Sequence, residues 1–172
     1  MSAVEESDRA WYRWLGVSLL VVGADQLTKW YVSVTLAHGE RVDVLPIFSW
    51  VRWHNDGAAF SILAGSGGWQ RWFFVALAAV FILFILYELR KLTPGDRWMG
   101  LVYGLILGGA LGNGIDRLVH GYVVDFIRFQ YDRWGFPAFN VADIALFIGA
   151  SLWIGLLFME FLKDRRERTA SG

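Results

Sequence analysis

Residues 112–127 read GNGIDRLVHGYVVDFI and follow the uncharged run Trp98–Leu111, WMGLVYGLILGGAL. The run is apolar enough for lipid, but its continuation holds Asn113, the adjacent Asp116 and Arg117, and then Asp125. A carboxylate or guanidinium at the centre of a bilayer costs at least about 2.5–3.5 kcal/mol. The stretch therefore reads as a membrane helix that ends in a polar rim, and the rim needs a purpose. Gly108, Gly109, Gly112 and Gly114 fall just before or within it. Glycine is a poor helix former by itself, so these positions predict close packing on a neighbouring helix.

The rest of the chain suits the same solvent. Of its 172 residues 56% are hydrophobic, with a mean hydropathy of +0.41, whereas soluble domains are usually about 45–50% apolar. Ten tryptophans fit a chain that meets water–lipid interfaces. The net charge is zero, so no overall field draws nucleic acid or an acidic partner. The lack of cysteine excludes disulfides, zinc thiolates and a thiol nucleophile.

About 20 helical residues cross a hydrocarbon layer of about 30 Å. Four segments fit, at about 14–34, 70–89, 98–116 and 141–162, with apolar centres Trp14–Val34, Trp72–Tyr87, Trp98–Ile115 and Ile144–Met159. The first has no small-residue cleavage site and runs into Asp25 and Lys29, so it is not read as a removable signal peptide. The expected fold is mostly α: one integral membrane domain over 1–172, built as a four-helix transmembrane bundle. Nine basic residues in the tails and the short loop 88–97 stand against six in the longer loops, which places both termini in the cytoplasm. Segments 35–69 and 117–140 then face outward. Arg41–Trp53, RVDVLPIFSWVRW, predicts two short strands around Pro46, a small β-sheet platform on the outer membrane surface. Gly65–Gly68 reads as a flexible turn before the second span.

The polar residues in this setting each have a plain reading. Asp25 and Lys29 are four apart on one helix face and predict an ion pair. Asn55-Asp56-Gly57 is an ordinary turn signal, although the small residues after it also suit close approach to a ligand. Asp116 and Arg117 are adjacent, so they do not share a helix face and each needs its own partner. Asp125, between Val124 and Phe126, is poorly solvated and should bind its proton more tightly; it is either a loop acid or a functional one. Asn140 and Asp143 have capping-box spacing before the last apolar run, and capping alone would account for Asp143. The topology nevertheless gathers Asp25, Asp116, Asp125 and Asp143 near one leaflet boundary. Two carboxyls meeting there would share a proton, which is the equipment for peptide hydrolysis by activated water. The sequence has neither HExxH nor GxSxG, the signatures of common metal and serine routes.

Four motifs, in order, resemble those of the bacterial lipoprotein signal peptidases, or signal peptidase II family. They are Asp25–Lys29 (DQLTK), Asn55–Ser61 (NDGAAFS), Gly108–Arg117 (GGALGNGIDR) with Gly121–Phe126 (GYVVDF), and Phe139–Asp143 (FNVAD). The resemblance extends over about residues 14–162. It implies an aspartic endopeptidase of the bacterial inner membrane, without metal or cofactor, that removes the signal peptide from diacylglyceryl-modified prolipoproteins. Cleavage would fall on the N-terminal side of the lipidated cysteine, near the periplasmic face. Carried over residue by residue, it implies Asp125 and Asp143 as the catalytic pair. Asn55, Asn113, Arg117 and Asn140 correspond to substrate-binding residues, and Asp25, Lys29 and Asp116 to structural polar groups. Expected partners are the prolipoprotein, membrane lipid and a globomycin-type inhibitor, with no nucleic acid, and the chain acting as a monomer. Asp125, flanked by apolar residues, is expected to carry the shared proton.

Two other readings compete. A small four-span proton-coupled transporter would also place acids in a membrane, but transporter sites tend towards the midplane, whereas these acids gather at one edge. A non-catalytic assembly protein would use the polar residues only to pack helices.

Overall fold

The computed structural model describes residues 11–57, 67–132 and 134–170. The Ala58–Ser61 part of the second motif, and Gly65 and Ser66 of the expected turn, lie outside the described residues. Four helices and four strands follow in the order α1 (Tyr12–Thr35), β1 (Arg41–Leu45), β2 (Phe48–Asn55), α2 (Trp69–Arg90), α3 (Arg97–Val119), β3 (Val123–Tyr131), β4 (Trp134–Gly135) and α4 (Val141–Ala170).

Helix α3 is the axis of the molecule. Its apolar window is 67% buried, against 11% for α2 and 17% for α4, and α1, α2 and α4 all pack on it. Glycine makes this possible. A β-carbon on Gly108 would stand 2.6 Å from Val21 Cβ and 2.9 Å from the Ser18 carbonyl of α1. One on Gly109 would stand 2.5 Å from the Ala142 carbonyl of α4, and one on Gly112 2.6 Å from Asp25 Oδ2. Gly100 and Gly104 continue the contact towards the other end, against Trp14 and Val17. The expected glycine packing holds at three of its four positions. Gly114 is the exception, since a methyl there would meet only Ala78 at an ordinary 3.9 Å.

The two ends of the bundle differ in chemistry. At one end Ile85, Leu89, Val102, Tyr103, Ile106 and Leu107 form a buried apolar core edged by Trp11, Trp14 and Trp153. At the other, the buried side chains include Asp25, Lys29, Asn113 and Asp116. Helices α2, α3 and α4 are each long and apolar enough to cross a membrane. Helix α1 has the length, at 24 residues, but Asp25, Gln26 and Lys29 lower its hydropathy. Asp25 and Lys29 turn inward, 0% and 3% exposed, while Leu19, Leu20, Leu27, Trp30 and Tyr31 form the outer face.

The strands form one antiparallel sheet in the order β1-β2-β3-β4. The two strands expected around Pro46 are present, with Pro46 and Ile47 in the turn between them. Strand β3 is an addition to the expected fold, in which 117–140 is only a connection. The run Val123–Tyr131 is rich in β-branched and aromatic residues, as a paired strand requires. Gly121, at φ +88°, turns the chain from α3 into β3, a backbone region that side chains other than glycine rarely adopt. The register sets Asp125 opposite Trp53 and Val123 opposite Asn55. The return segment then runs beside β3: Phe126 and Ile127 donate their N–H groups to the Phe139 carbonyl, and Phe139 donates to Ile127. That pairing delivers Asn140 and the start of α4 to the side of Asp125. Arg52 fastens the sheet to α1 by donating to the Ser33 and Leu36 carbonyls, both at 2.9 Å, groups left without helical partners at the helix end.

The glycine contacts predict the effect of single methyl groups. Gly109→Ala should destabilise by about 1–3 kcal/mol, the usual cost of overpacking, because the obstacle is backbone. Gly114→Ala should be neutral or up to about 1 kcal/mol stabilising through helix propensity. Thermal unfolding in detergent, followed by tryptophan fluorescence, measures both; equal losses for the two would contradict the packing assigned to α3.

Candidate active site

The polar end of the bundle is built around one ammonium group. Lys29 Nζ lies 2.8 Å from Asp25 Oδ2 and 3.0 Å from Asp116 Oδ2, and donates to Asn113 Oδ1 at 3.0 Å. The expected Asp25–Lys29 pair is therefore real, but it is one edge of a wider cluster. An ammonium has three N–H groups and no acceptor, so Lys29 is fully satisfied by these three oxygens. Both carboxylates also reach outward. Asp25 Oδ1 accepts the Ala142 N–H at 2.9 Å, and Asp116 Oδ2 accepts the Val124 N–H at 3.1 Å. Ala142 precedes Asp143 and Val124 precedes Asp125, so Asp25 and Asp116 each hold the backbone directly before one of the other two acids. Gln26, to which the sequence assigns no role, donates to Asp25, Asp116 and the Gly112 carbonyl.

Asp125 and Asp143 line the same cleft, of about 630 Å³, together with Asn55, Asn113 and Arg117. Asn140 stands between the two acids. Its Nδ2 donates to Asp125 Oδ1 at 2.8 Å, its Oδ1 accepts the Asp143 N–H at 2.9 Å, and its own N–H donates to Asp143 Oδ2 at 3.2 Å. The last two bonds are the expected capping box. Asn113 Nδ2 donates to the other Asp143 oxygen at 2.8 Å, and Asn55 Nδ2 to Asp125 Oδ2 at 3.0 Å. Capping and site-building are thus not alternatives for Asp143: one oxygen caps α4 and the other faces Asn113. The Asn55-Asp56-Gly57 turn is likewise both, since Asn55 Oδ1 accepts the Gly57 N–H at 3.1 Å.

The chain contains three asparagines, and all three turn their NH2 groups to this pair of acids. Each orientation is enforced. The carbonyl oxygens of Asn55, Asn113 and Asn140 accept from a backbone N–H, an ammonium and a backbone N–H respectively, none of which can act as an acceptor.

Asp125 is 4% exposed. Burial, and then the neighbouring Asp143 carboxyl, push its pKa up to about 7, against the bonds from Asn55 and Asn140. Arg117 donates to the Gly57 carbonyl at 2.8 Å and lies 4.9 Å over the Phe74 ring; its buried Nε has no hydrogen-bond partner among the described residues. Asp116 and Arg117 thus have separate partners, as their adjacency required. The cleft also has walls that the sequence motifs mark only at Phe139. Trp53 and His54 form one side, and Phe136, Phe139, Leu146 and Phe147 a broad apolar one. His54 is stacked between His38 and Tyr122, at 4.0 and 3.8 Å; burial, then His38, Arg52 and His120, push its pKa down to about 4. Among the described residues no group of three or more His, Asp or Glu side chains is arranged to hold a metal.

This architecture has known counterparts. A solved bacterial membrane enzyme superposes with a TM-score of 0.78 at 33% identity, covering 87% of this chain and 89% of the other. A second superposes at 0.71 with 34% identity, covering 84% and 92%. A lipoprotein signal peptidase of Serratia marcescens is 48% identical over 83% of each chain. Another, of Alteromonas mediterranea, is 45% identical over 92% of this chain and 87% of its own. The family model described as signal peptidase (SPase) II matches residues 17–159. That span runs from within α1 to within α4 and takes in the Lys29 cluster, both cleft acids and all three asparagines: the chain is a membrane protein that belongs to the signal peptidase II family of peptidases.

Proposed function

We propose that this chain removes the signal peptide from diacylglyceryl-modified prolipoproteins, cutting on the N-terminal side of the lipidated cysteine, with Asp125 and Asp143 as its catalytic pair. One observation carries the chemistry: the buried Asp125 and the half-buried Asp143 open into one cleft, each held by carboxamide NH2, and burial pushes the pKa of Asp125 up to about 7. Close carboxyls resist joint ionisation, so the resting pair holds one proton, on Asp125. Asp143 takes a proton from water as the water oxygen adds to the scissile carbonyl carbon, while Asp125 gives its proton to the carbonyl oxygen. Asp143 then passes its proton to the leaving nitrogen, the C–N bond breaks, and Asp125 recovers a proton from the diol. No covalent intermediate forms, and the pair ends as it began.

The surroundings suit a lipid-borne peptide. Helices α2 and α4 both pack on α3 but share no substantial contact among the described residues, and the apolar cleft wall includes Ile144 and Phe147 of α4. A signal peptide helix reaching the cleft through lipid on that side would bring its C-terminal end to the acids. Arg117, with its unpartnered Nε, and Asn55 are the contacts for substrate carbonyl groups. Asn113 and Asn140 hold the acids against which the substrate must fit, and Asp25, Lys29 and Asp116 keep the frame. We place all four helices across the inner membrane, α1 included because Asp25 and Lys29 face inward, with both termini in the cytoplasm and the sheet and cleft on the periplasmic side. The chain works as a monomer, and a globomycin-type cyclic peptide would occupy the same cleft. A proton-coupled transporter gains no support, since the acids sit at the sheet end of the helices rather than midway along them.

Cleavage of a purified diacylglyceryl-modified prolipoprotein tests the assignment. Asp125→Asn and Asp143→Asn should each lower kcat by about 10²–10⁴-fold, the range for losing an acid–base group, while thermal unfolding of Asp143→Asn stays close to wild type because an Asn oxygen can still accept the Asn140 N–H. Full activity in either variant would contradict it. The raised pKa of Asp125 also has a sign for stability. Protonated Asp125 stabilises the fold fully below about pH 4, and that contribution is lost as the pH rises towards about 7, because the native state binds the proton more tightly than the unfolded chain. Unfolding temperatures should therefore fall across this window more steeply in wild type than in Asp125→Asn; parallel curves would place the proton elsewhere.

A further inference from the structure

Lys29 is the one described lysine in the buried polar cluster, and the peptide chemistry above gives it no step. Its three N–H groups have three distinct acceptors, two carboxylates and one neutral carbonyl, Asn113 Oδ1. The carboxylates need a cation for their own charge. The bond to Asn113 does something else. A carboxamide can be turned over at almost no cost in shape, so its orientation is decided by what its two ends face. With the Asn113 oxygen on Lys29 and, at 3.3 Å, on Asn140 Nδ2, the NH2 end has one direction left, and it meets Asp143 Oδ1 at 2.8 Å. Turned over, the NH2 would point at an ammonium and a second NH2, and an oxygen would face the carboxyl.

We propose that Lys29 is a positioning residue: its ammonium locks the Asn113 carboxamide with the NH2 group towards Asp143, so that this acid always faces a donor and is kept as the acceptor of the water proton. The catalytic consequence rests on the peptidase reading above; the orientation itself does not. Asn55 and Asn140 are locked by backbone N–H groups, which no replacement other than proline removes. Asn113 alone is locked by a side chain, so Lys29 is where the device can be broken.

Since the sequence holds three asparagines, labelling with ¹⁵N-asparagine in the full chain in nanodiscs gives three carboxamide signal pairs. In the wild-type protein the Asn113 NH2 protons should show nuclear Overhauser contacts to the Asp143 side chain and not to the Lys29 ε-methylene. The reverse pattern overturns the inference without any variant and without reference to activity. The functional arm uses Lys29→Met combined with Asp116→Asn, which keeps the net charge of the cluster, compared with Asp116→Asn alone. The double variant should shift or broaden the Asn113 pair while sparing those of Asn55 and Asn140. Its kcat should fall at least tenfold below that of the single variant, with KM changed less than threefold. A folded double variant with an unmoved Asn113 pair, or with the same kcat as the single variant, overturns the proposal. If the double variant does not fold, the wild-type contacts decide. Should wild-type protein cleave no prolipoprotein, the peptidase reading fails while the orientation result stands by itself.

Discussion

The buried ammonium of Lys29 is the interaction on which the rest depends. Taking a charge out of water is expensive, and removing one partner from a buried ion pair typically costs about 3–5 kcal/mol. Here the charge is offset by Asp25 on its own helix and Asp116 on α3, so the lysine joins α1 to α3 at the polar end of the bundle. The two carboxylates pass the constraint on. Asp25 holds the Ala142 N–H at the start of α4, and Asp116 holds the Val124 N–H in β3. One ion cluster thereby fixes the backbone next to both cleft acids, which belong to separate elements. A helix start needs acceptors for its unpaired N–H groups, and a strand leaving a helix needs an anchor; the cluster supplies both.

Such a cluster requires helices that approach closely, which is the task of the glycines in α3. Lipid gives no hydrophobic push between helices, so small residues that let backbones meet carry much of the association. Gly108 admits α1, Gly109 admits α4, and Gly112 leaves the space that Asp25 Oδ2 occupies. The last is the direct link between packing and chemistry. A side chain at 112 would displace the acid that holds Lys29 and Ala142, and the site would be loosened from a position that does not line the cleft.

Much of this is legible in the residues, and the reasons for the remainder are physical. The inward ion pair of Asp25 and Lys29, the capping box of Asn140 and Asp143 and the strands around Pro46 all follow from local spacing, and local spacing survives folding. Local spacing cannot show where a carboxylate's second oxygen goes. Asp143 looks like a choice between capping and chemistry because a sequence assigns one role per residue, whereas a carboxylate has two oxygens and uses both. Strand β3 is hidden because Asp125, the residue of most interest in it, is also the one that breaks its apolar run. Its pairing with β2 depends on a partner about 70 residues away. Gln26 and Phe139 lie inside two of the motifs, but local spacing assigns neither a contact, and Phe136 and Phe147 give no signal, since aromatic residues in a membrane protein are ordinary. Length alone suggests four spans; hydropathy supports three, because the helix that carries the central ion pair is the one whose average is lowered by it.

The proposed mechanism needs two acids that share one proton, with Asp125 holding it. The most direct measurement is the pH dependence of kcat/KM for a diacylglyceryl-modified prolipoprotein, which reports the ionisation of the free enzyme's acid and base as values belonging to the pair. The predicted profile is a bell, with activity lost on the alkaline side around pH 7 as Asp125 gives up its proton. A rate that stays level from about pH 6 to about pH 9 would mean that no such proton is used, and would contradict the shared-proton mechanism.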